Sequence, residues 1–415
     1  MTKIFYICLK YKYTKDEKTL LLLLLAGIKI FGQEDFDHYL KSSQILSEGN
    51  YLGYLEYIEN NKNKFETPEF LGDAYTFVGD YSHALKIYNN EHMIADLKAE
   101  KLKFDSKDYS YFTKKDKESI LNEVKDVDFL LINEGHHRNF HRIFLRDNLK
   151  ALYKLGFRNL FVEGVISFDK INERKFPIIS TLTYPEPIYG EMIREAKSLG
   201  FNVISYDINE ETPQIDDPIE DWNYRENIQF NNILKKFDGK KSIIYGGYSH
   251  TITQSTDLKY EFLGALLKKN HKVLSIDQTI FVEEHLKELE KEFYSENVNS
   301  TQPIFFKNDE KSSYDYTLIH PRTRLVDGKP NWLIDNKKQG WIKWSDINKV
   351  ERKSVLVQVF ELNEYEREGN KCIPLYQFVE KFNNGKEIPY FYYNKGNEIL
   401  IIKNSENKVL IKKKL

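Results

Sequence analysis

Between residues 125 and 280, five apolar runs alternate with stretches of helical spacing, and nothing else in the chain restricts the fold as strongly. The runs cover 127–133 (VDFLLIN), 159–162 (NLFV), 201–206 (FNVISY), 241–245 (KSIIY) and 271–276 (HKVLSI). Phe144, Leu145, Leu149 and Leu152 follow the first run at helical spacing, and Gly156 is placed to end that helix. Stretches near 189–199, 224–236 and 257–269 read as further helices. Apolar runs separated by helices predict an α/β fold with a mainly parallel sheet covered on both faces.

The flanks differ. Residues 33–105 read as helical, and Phe70, Gly72, Ala74, Gly79-Asp80, Ala84 and Tyr88 fit one tetratricopeptide-like helix pair. A lone pair cannot bury its own face, so a small module docked on a neighbour is expected. Past 280 comes a charged helix over 282–293, then a linker. Strand-like segments follow at 354–360, 388–393, 398–402 and 408–411, with turns at 394–397 and 404–407. The expected division is a signal segment (1–32), a helical module (33–105), an α/β domain (106–298) and a small antiparallel β-rich domain (299–415).

The signal segment rests on Lys15 and Lys18 followed by the apolar run 20–25, with cleavage expected near Gly32-Gln33. An apolar core of this length after positive charge suits export and is too short to span a bilayer. The protein is therefore expected to be periplasmic or secreted, with no transmembrane segment after cleavage.

Lys+Arg of 61 against Asp+Glu of 63 leaves a net charge of −2, which gives no basic footprint for nucleic acid. With two cysteines, Cys8 and Cys372, neither a disulfide framework nor a thiolate zinc site can be built. No glycine-rich phosphate loop follows any strand, and no Gly-x-Ser-x-Gly elbow occurs.

Ligands of parallel α/β sheets bind beyond the carboxyl ends of the strands. Each predicted strand ends in polar residues: Glu134, His136 and His137; Glu163; Asp207; Tyr248 and His250; Asp277 and Gln278. His137 and His141 are four apart, so they can share one helix face near its positive end. That end disfavours the imidazolium and favours a neutral base. One reading makes His137 a general base with Glu163 orienting water and His250 serving the leaving group. Another makes His137, His141, Glu163 and His250 ligands of a divalent metal. The bland reading of Glu163 is a structural partner for Arg142 or Arg146. His136, Arg142, Tyr189, Asp207, Tyr248 and Asp277 are the expected substrate-binding set, with Glu134 among the catalytic candidates.

The stretch 130–164, from LINEGHHRNFH to NLFVEG, resembles the first motif block of the erythromycin-esterase, ChaN and Tiki/TraB superfamily. Glu134-Gly135-His136-His137 is similar to its Glu-x-x-His turn, which implies that His137 is the catalytic histidine. Glu163 matches the glutamate that ends the second strand, and YGGYSH (245–250) resembles the strand carrying the second histidine. Asn133 departs from the glycine that often precedes the Glu, and two histidines stand where one is usual. The EPIYG turn (186–190) and TLIHPRTR (317–324) look like features of a narrower group of exported bacterial proteins.

The resemblance implies either hydrolysis of an ester, lactone or peptide bond in a small-molecule or peptide substrate, or ligand binding. Haem is the less favoured ligand, with Tyr184, Tyr189, Tyr206, Tyr245 and Tyr248 as pocket candidates. A third reading is a scaffold with a vestigial centre.

Overall fold

The structure is a computed structural model that describes residues 33–65, 67–89, 113–166, 170–207, 213, 215–255, 260–347, 353–383 and 387–415. The expected signal segment and residues 90–105 of the helical module lie outside the described residues. The chain divides into two compact units. One comprises 1–90, 177–190 and 324–415; the other comprises 91–176 and 191–323.

The second unit is built on an eight-stranded sheet. In chain order its strands are β1 (Thr113–Lys115), β2 (Phe129–Glu134), β3 (Asn159–Val162), β4 (Asn202–Ser205), β5 (Ser242–Gly247), β6 (Val273–Asp277), β7 (Ile304–Lys307) and β8 (Tyr316–Ile319). The spatial order is β1-β7-β8-β6-β2-β5-β3-β4. The six strands from β8 to β4 run parallel, while β7 is antiparallel to both β1 and β8. All five apolar runs of the sequence are strands of this parallel core. β2, β3 and β5 are buried along their whole length, as strands covered on both faces must be.

Helices fill the crossovers. Helix Phe140–Lys154 buries Phe144, Leu145, Leu149 and Leu152 and is followed by Gly156 at φ 95°. That left-handed position strains any residue with a Cβ. Helix Pro218–Lys236 starts with Pro218 in its first turn after an Asp217 cap. It packs Ile233 with Leu263 and Leu267 of helix Leu263–Lys268 against Phe129, Leu131, Phe161, Ile204, Tyr206 and Ile244 of the sheet segment. Each large apolar side chain buried in this way stabilises the fold by roughly 1.5–3 kcal/mol.

The first unit joins the two ends of the chain. Helices Gln33–Ser47, Tyr51–Asn60, Glu69–Phe77 and Tyr81–Tyr88 lie in it together with the C-terminal strands. Those strands are β9 (Leu325–Val326), β10 (Lys329–Pro330), β11 (Lys338–Lys343), β12 (Ser354–Glu361), β13 (Tyr376–Lys381), β14 (Glu387–Tyr392), β15 (Glu398–Lys403) and β16 (Val409–Lys414). They form antiparallel sheets ordered β13-β12-β15-β16, β11-β14 and β10-β9.

The segment read as a tetratricopeptide-like pair folds as helices Glu69–Phe77 and Tyr81–Tyr88. Gly79 takes φ 81°, Asp80 caps the second helix through His83 N–H, and Gly72 sits under the Tyr88 ring. β13 meets the turn between the two helices, through Val379 N–H donating to Val78 O at 3.1 Å and Gln377 Nε2 donating to Phe77 O. The helical and β-rich segments, read separately in sequence, thus form one unit.

Three other expectations differ from the structure. The charged helix over 282–293 does not form, because Glu283 binds Thr323 N–H and Oγ1 while its carbonyl accepts from Arg138. Only Glu292–Asn297 is α-helical there. The boundary at 298/299 cuts the α/β unit, since β7 and β8 extend the central sheet. β13 was missed: Tyr376–Lys381 mixes polar and apolar residues, and pairing with β12 decides its state.

Candidate functional site

Register builds the site. β5 lies between β2 and β3, pairing Glu134 with Gly247 on one side and Val162 with Tyr245 on the other. Glu134 and Glu163 therefore flank the Gly246-Gly247 end of β5. A side chain at Gly247 would collide with the His136 ring, and one at Gly246 with the Tyr206 hydroxyl. The two glycines let carboxylates and imidazole close over the strand end.

On the β2 side, Glu134 is buried and meets Arg142 in a two-pronged ion pair, with Nε to Oε2 and Nη2 to Oε1 both 2.8 Å. Arg142, at 0% exposure, also donates to His136 O at 2.8 Å, which fixes the turn. His136 Nδ1 lies 3.0 Å from Glu134 Oε1, and its Nε2 lies 3.9 Å from Glu163 Oε2. Burial works against protonating His136, but the Glu134 hydrogen bond and the Glu163 charge outweigh it and raise its pKa. Glu134 is held below the ordinary range: burial would raise it, yet Arg142 and His136 prevail.

On the β3 side, Glu163 accepts from Arg225 Nη2 at 2.8 Å through Oε1 and from Gly247 N–H through Oε2. His250 Nε2 stands 3.6 Å from Glu163 Oε1. His250 Nδ1 is held at 2.6 Å by Glu226, a fully buried carboxylate whose other oxygen accepts from Leu263 N–H at 2.7 Å. Burial pushes Glu163 up, but His250, His136 and Arg225 hold it at about 2, so it is ionised at neutral pH.

The neighbouring histidines take other duties. His137 Nδ1 is 3.1 Å from the Tyr248 hydroxyl, and burial with Arg138 nearby keeps its pKa well below ordinary. His141 Nδ1 accepts from Gly135 N–H at 2.9 Å, while its ring stacks on His320 at 5.2 Å. Burial and His320 depress His141 strongly. Asn139 precedes the following helix without a side-chain cap hydrogen bond, and burial is the leading cause of both shifts.

No protein-family model and no curated protein matches the chain. Among solved structures, the type III effector HopBA1 is similar over 52% of this chain and 99% of its own, at 13% identity and TM-score 0.34. ChaN of Campylobacter jejuni, described with cofacial haem, is similar over 50% and 92%, at 11% identity and TM-score 0.33. The C-terminal region of Pasteurella multocida toxin, described with a thiol-protease-like triad, is similar over 96% and 58%, at 11% identity and TM-score 0.35. At these scores none of them bears on the chemistry of this site.

Of the expected site residues, Glu134, Glu163, His250, His136 and Arg142 converge, but His136 rather than His137 faces both glutamates. Asp207 lies beside helix Pro218–Lys236, accepting from Gln229 at 3.0 Å. Asp277 binds Asn133, Thr279 and the Ile280 N–H, closing its own loop. Tyr189 belongs to the other unit, buried at a helix start where Glu186 accepts from its N–H and from Ile188 N–H. Arg225 and Glu226 were missed; they are one turn or more inside an amphipathic helix, and nothing local marks them.

The expected metal set does not assemble. His141 is turned to Gly135, His137 to Tyr248, and Glu163 is already neutralised by Arg225. Among the described residues no cluster of three or more His, Cys, Asp or Glu could hold a metal ion. Of the tyrosines named for haem, Tyr184 and Tyr189 belong to the other unit, and Tyr206 and Tyr245 are buried in the sheet region. No helix among the described residues is long and apolar enough to cross a membrane.

Proposed function

We propose that the carboxyl edge of the parallel sheet is an acid–base hydrolytic site acting on an ester, lactone or peptide bond, in a divergent member of the superfamily that the 130–164 block resembles. One observation carries this reading. Two histidines, each oriented by its own carboxylate (His136 by Glu134, His250 by Glu226), direct their Nε2 atoms at the same glutamate, Glu163.

Both Nε2 gaps exceed a direct hydrogen bond and lie within the span of one bridging water. In the proposed reaction the unprotonated form of His250, with Glu163 held ionised by His136 and Arg225, takes a proton from water through Nε2 as the water oxygen attacks the carbonyl carbon. The bond to the leaving oxygen or nitrogen breaks, and His136, whose protonated form the raised pKa favours, gives its proton to that atom. Glu163 stays ionised and orients the water, and the Arg225 guanidinium faces the developing oxyanion. No step needs a metal.

The test is a panel of ester, lactone and peptide substrates with wild type, His136→Ala and His250→Ala. Each variant is expected to lose ~10²–10⁴-fold in rate. With His136 as the acid, the wild-type rate falls as pH rises through a value above 6.5. A wild type inert across the panel, or variants as fast as wild type, ends the reading. Export through residues 1–32 would place this activity outside the cytoplasm; N-terminal sequencing of the mature protein checks it, and an intact Met1 in a cytosolic fraction refutes it.

A further inference from the structure

Beside the histidine cluster, in the same unit, lies a cavity of about 360 Å³. That volume is within the ~300–1,000 Å³ of small-molecule sites. Its walls include the Tyr248 and Tyr314 rings and the aliphatic side chains of Ile280, Val282 and Leu289. We propose that this cavity is a recognition subsite for a compact, uncharged, ring-bearing group of the ligand, with Tyr248 as the wall shared with the histidine cluster.

Tyr248 belongs to both places. Its hydroxyl is 3.1 Å from His137 Nδ1, and its ring meets His136 edge-on at 6.0 Å between centroids. It is 45% exposed, and Ile280 across the cavity is 42% exposed, so apolar surface stands open to a ligand. Tyr248 also has φ 40°, a left-handed backbone that strains an aromatic residue.

The surroundings enforce that conformation. The Tyr248 carbonyl accepts from Tyr314 Oη at 2.9 Å, Asn133 Nδ2 at 3.3 Å and Thr251 Oγ1 at 3.4 Å. Fully buried Asn133 also reaches Asp277 at 2.6 Å, Thr279 at 3.3 Å and Tyr314 Oη at 3.2 Å. A single amide therefore ties the cavity floor to the residue that separates it from the histidines. Glycine at position 133 could make none of these bonds.

The ligand class follows from what the charged lining already does. Glu284 pairs with Arg138 at 3.1 Å, the Lys291 ammonium lies over the Phe281 ring at 5.7 Å, and Asp277 is bound by backbone N–H groups. Each charge is answered from within the protein. Two rings and three aliphatic side chains remain as the apolar surface offered, beside the uncharged Ser249 and Thr279, which favours a neutral planar group.

This deepens the hydrolytic reading by giving its substrate a chemical class, and its test separates the two. Binding of 2-naphthol to the full chain is measured by fluorescence for wild type, Ile280→Trp and His136→Ala, alongside hydrolysis of 2-naphthyl acetate. The Trp fills the cavity and should weaken 2-naphthol binding at least tenfold, while His136→Ala stays within threefold of wild type. Ile280→Lys replaces the Trp variant if that one misfolds. Absence of wild-type binding, or affinity indifferent to position 280, overturns the subsite. If 2-naphthol binds as expected but neither 2-naphthyl acetate nor any member of the ester, lactone and peptide panel is hydrolysed, the acid–base reading falls and the subsite stands.

Discussion

His250 Nδ1 lies 2.6 Å from Glu226 Oε1 in a fully buried pair, and the opposite ring nitrogen points at Glu163. Glu226 fixes the orientation of the imidazole. Glu226→Gln keeps the size of the side chain but lets the amide present N–H where the ring needs an acceptor. Activity should fall about 10²-fold or more, with KM little changed. A rate within threefold of wild type would show that His250 is oriented by other means.

Arg142 and Glu134 form a second buried pair, held in two-pronged geometry with Arg142 at 0% exposure. Arg142→Met leaves an uncompensated carboxylate in the sheet and should cost about 3–5 kcal/mol in urea unfolding. Combining it with Glu134→Gln should recover part of that loss. Additive losses in the double variant would contradict the pairing.

His320 stacks on His141, binds Gln278 through Nε2 at 2.7 Å, and is held at about 3 by burial. A base depressed on folding gives its full stability above the unfolded value near 6.5. As pH falls from there toward 3, the unfolded chain takes up a proton that the folded chain refuses, and stability declines. His320→Phe should flatten this acid limb by about one proton in the pH dependence of unfolding. An unchanged slope would rule His320 out as its source.

In the other unit, Lys403 on β15 is 1% exposed, and its ammonium has no hydrogen-bond partner among the described residues. Burial lowers its pKa from 10.5 to about 8. The penalty is absent above 10.5, grows as pH falls to 8, and is constant below. Lys403→Met should therefore raise stability at pH 7 by about 2–3 kcal/mol and remove this dependence. Destabilisation by Met would mean that the amine is serving a partner.

Much of the architecture was readable because it is local. Apolar runs, helical spacing and Gly156 all report on neighbours within a few residues. Strands that escaped reading, among them β7, β8, β11 and β13, owe their state to pairing partners: β8 lies beside β6, β11 beside β14 and β13 beside β12. The absent helix at 282–293 reflects the same limit. Its residues favour a helix until Thr323 and Arg138, far along the chain, claim Glu283.

The amino-acid order alone determined that a parallel α/β core forms and that its strand ends carry glutamate and histidine, since burial on both faces demands continuous apolar runs and forces polar groups to their tips. Folding in three dimensions decided which groups meet. The turn pinned by Arg142, with the clearance above Gly247, aims His136 rather than His137 at the carboxylates. Glu226 and Arg225 arrive from a distant helix whose docking no local pattern encodes.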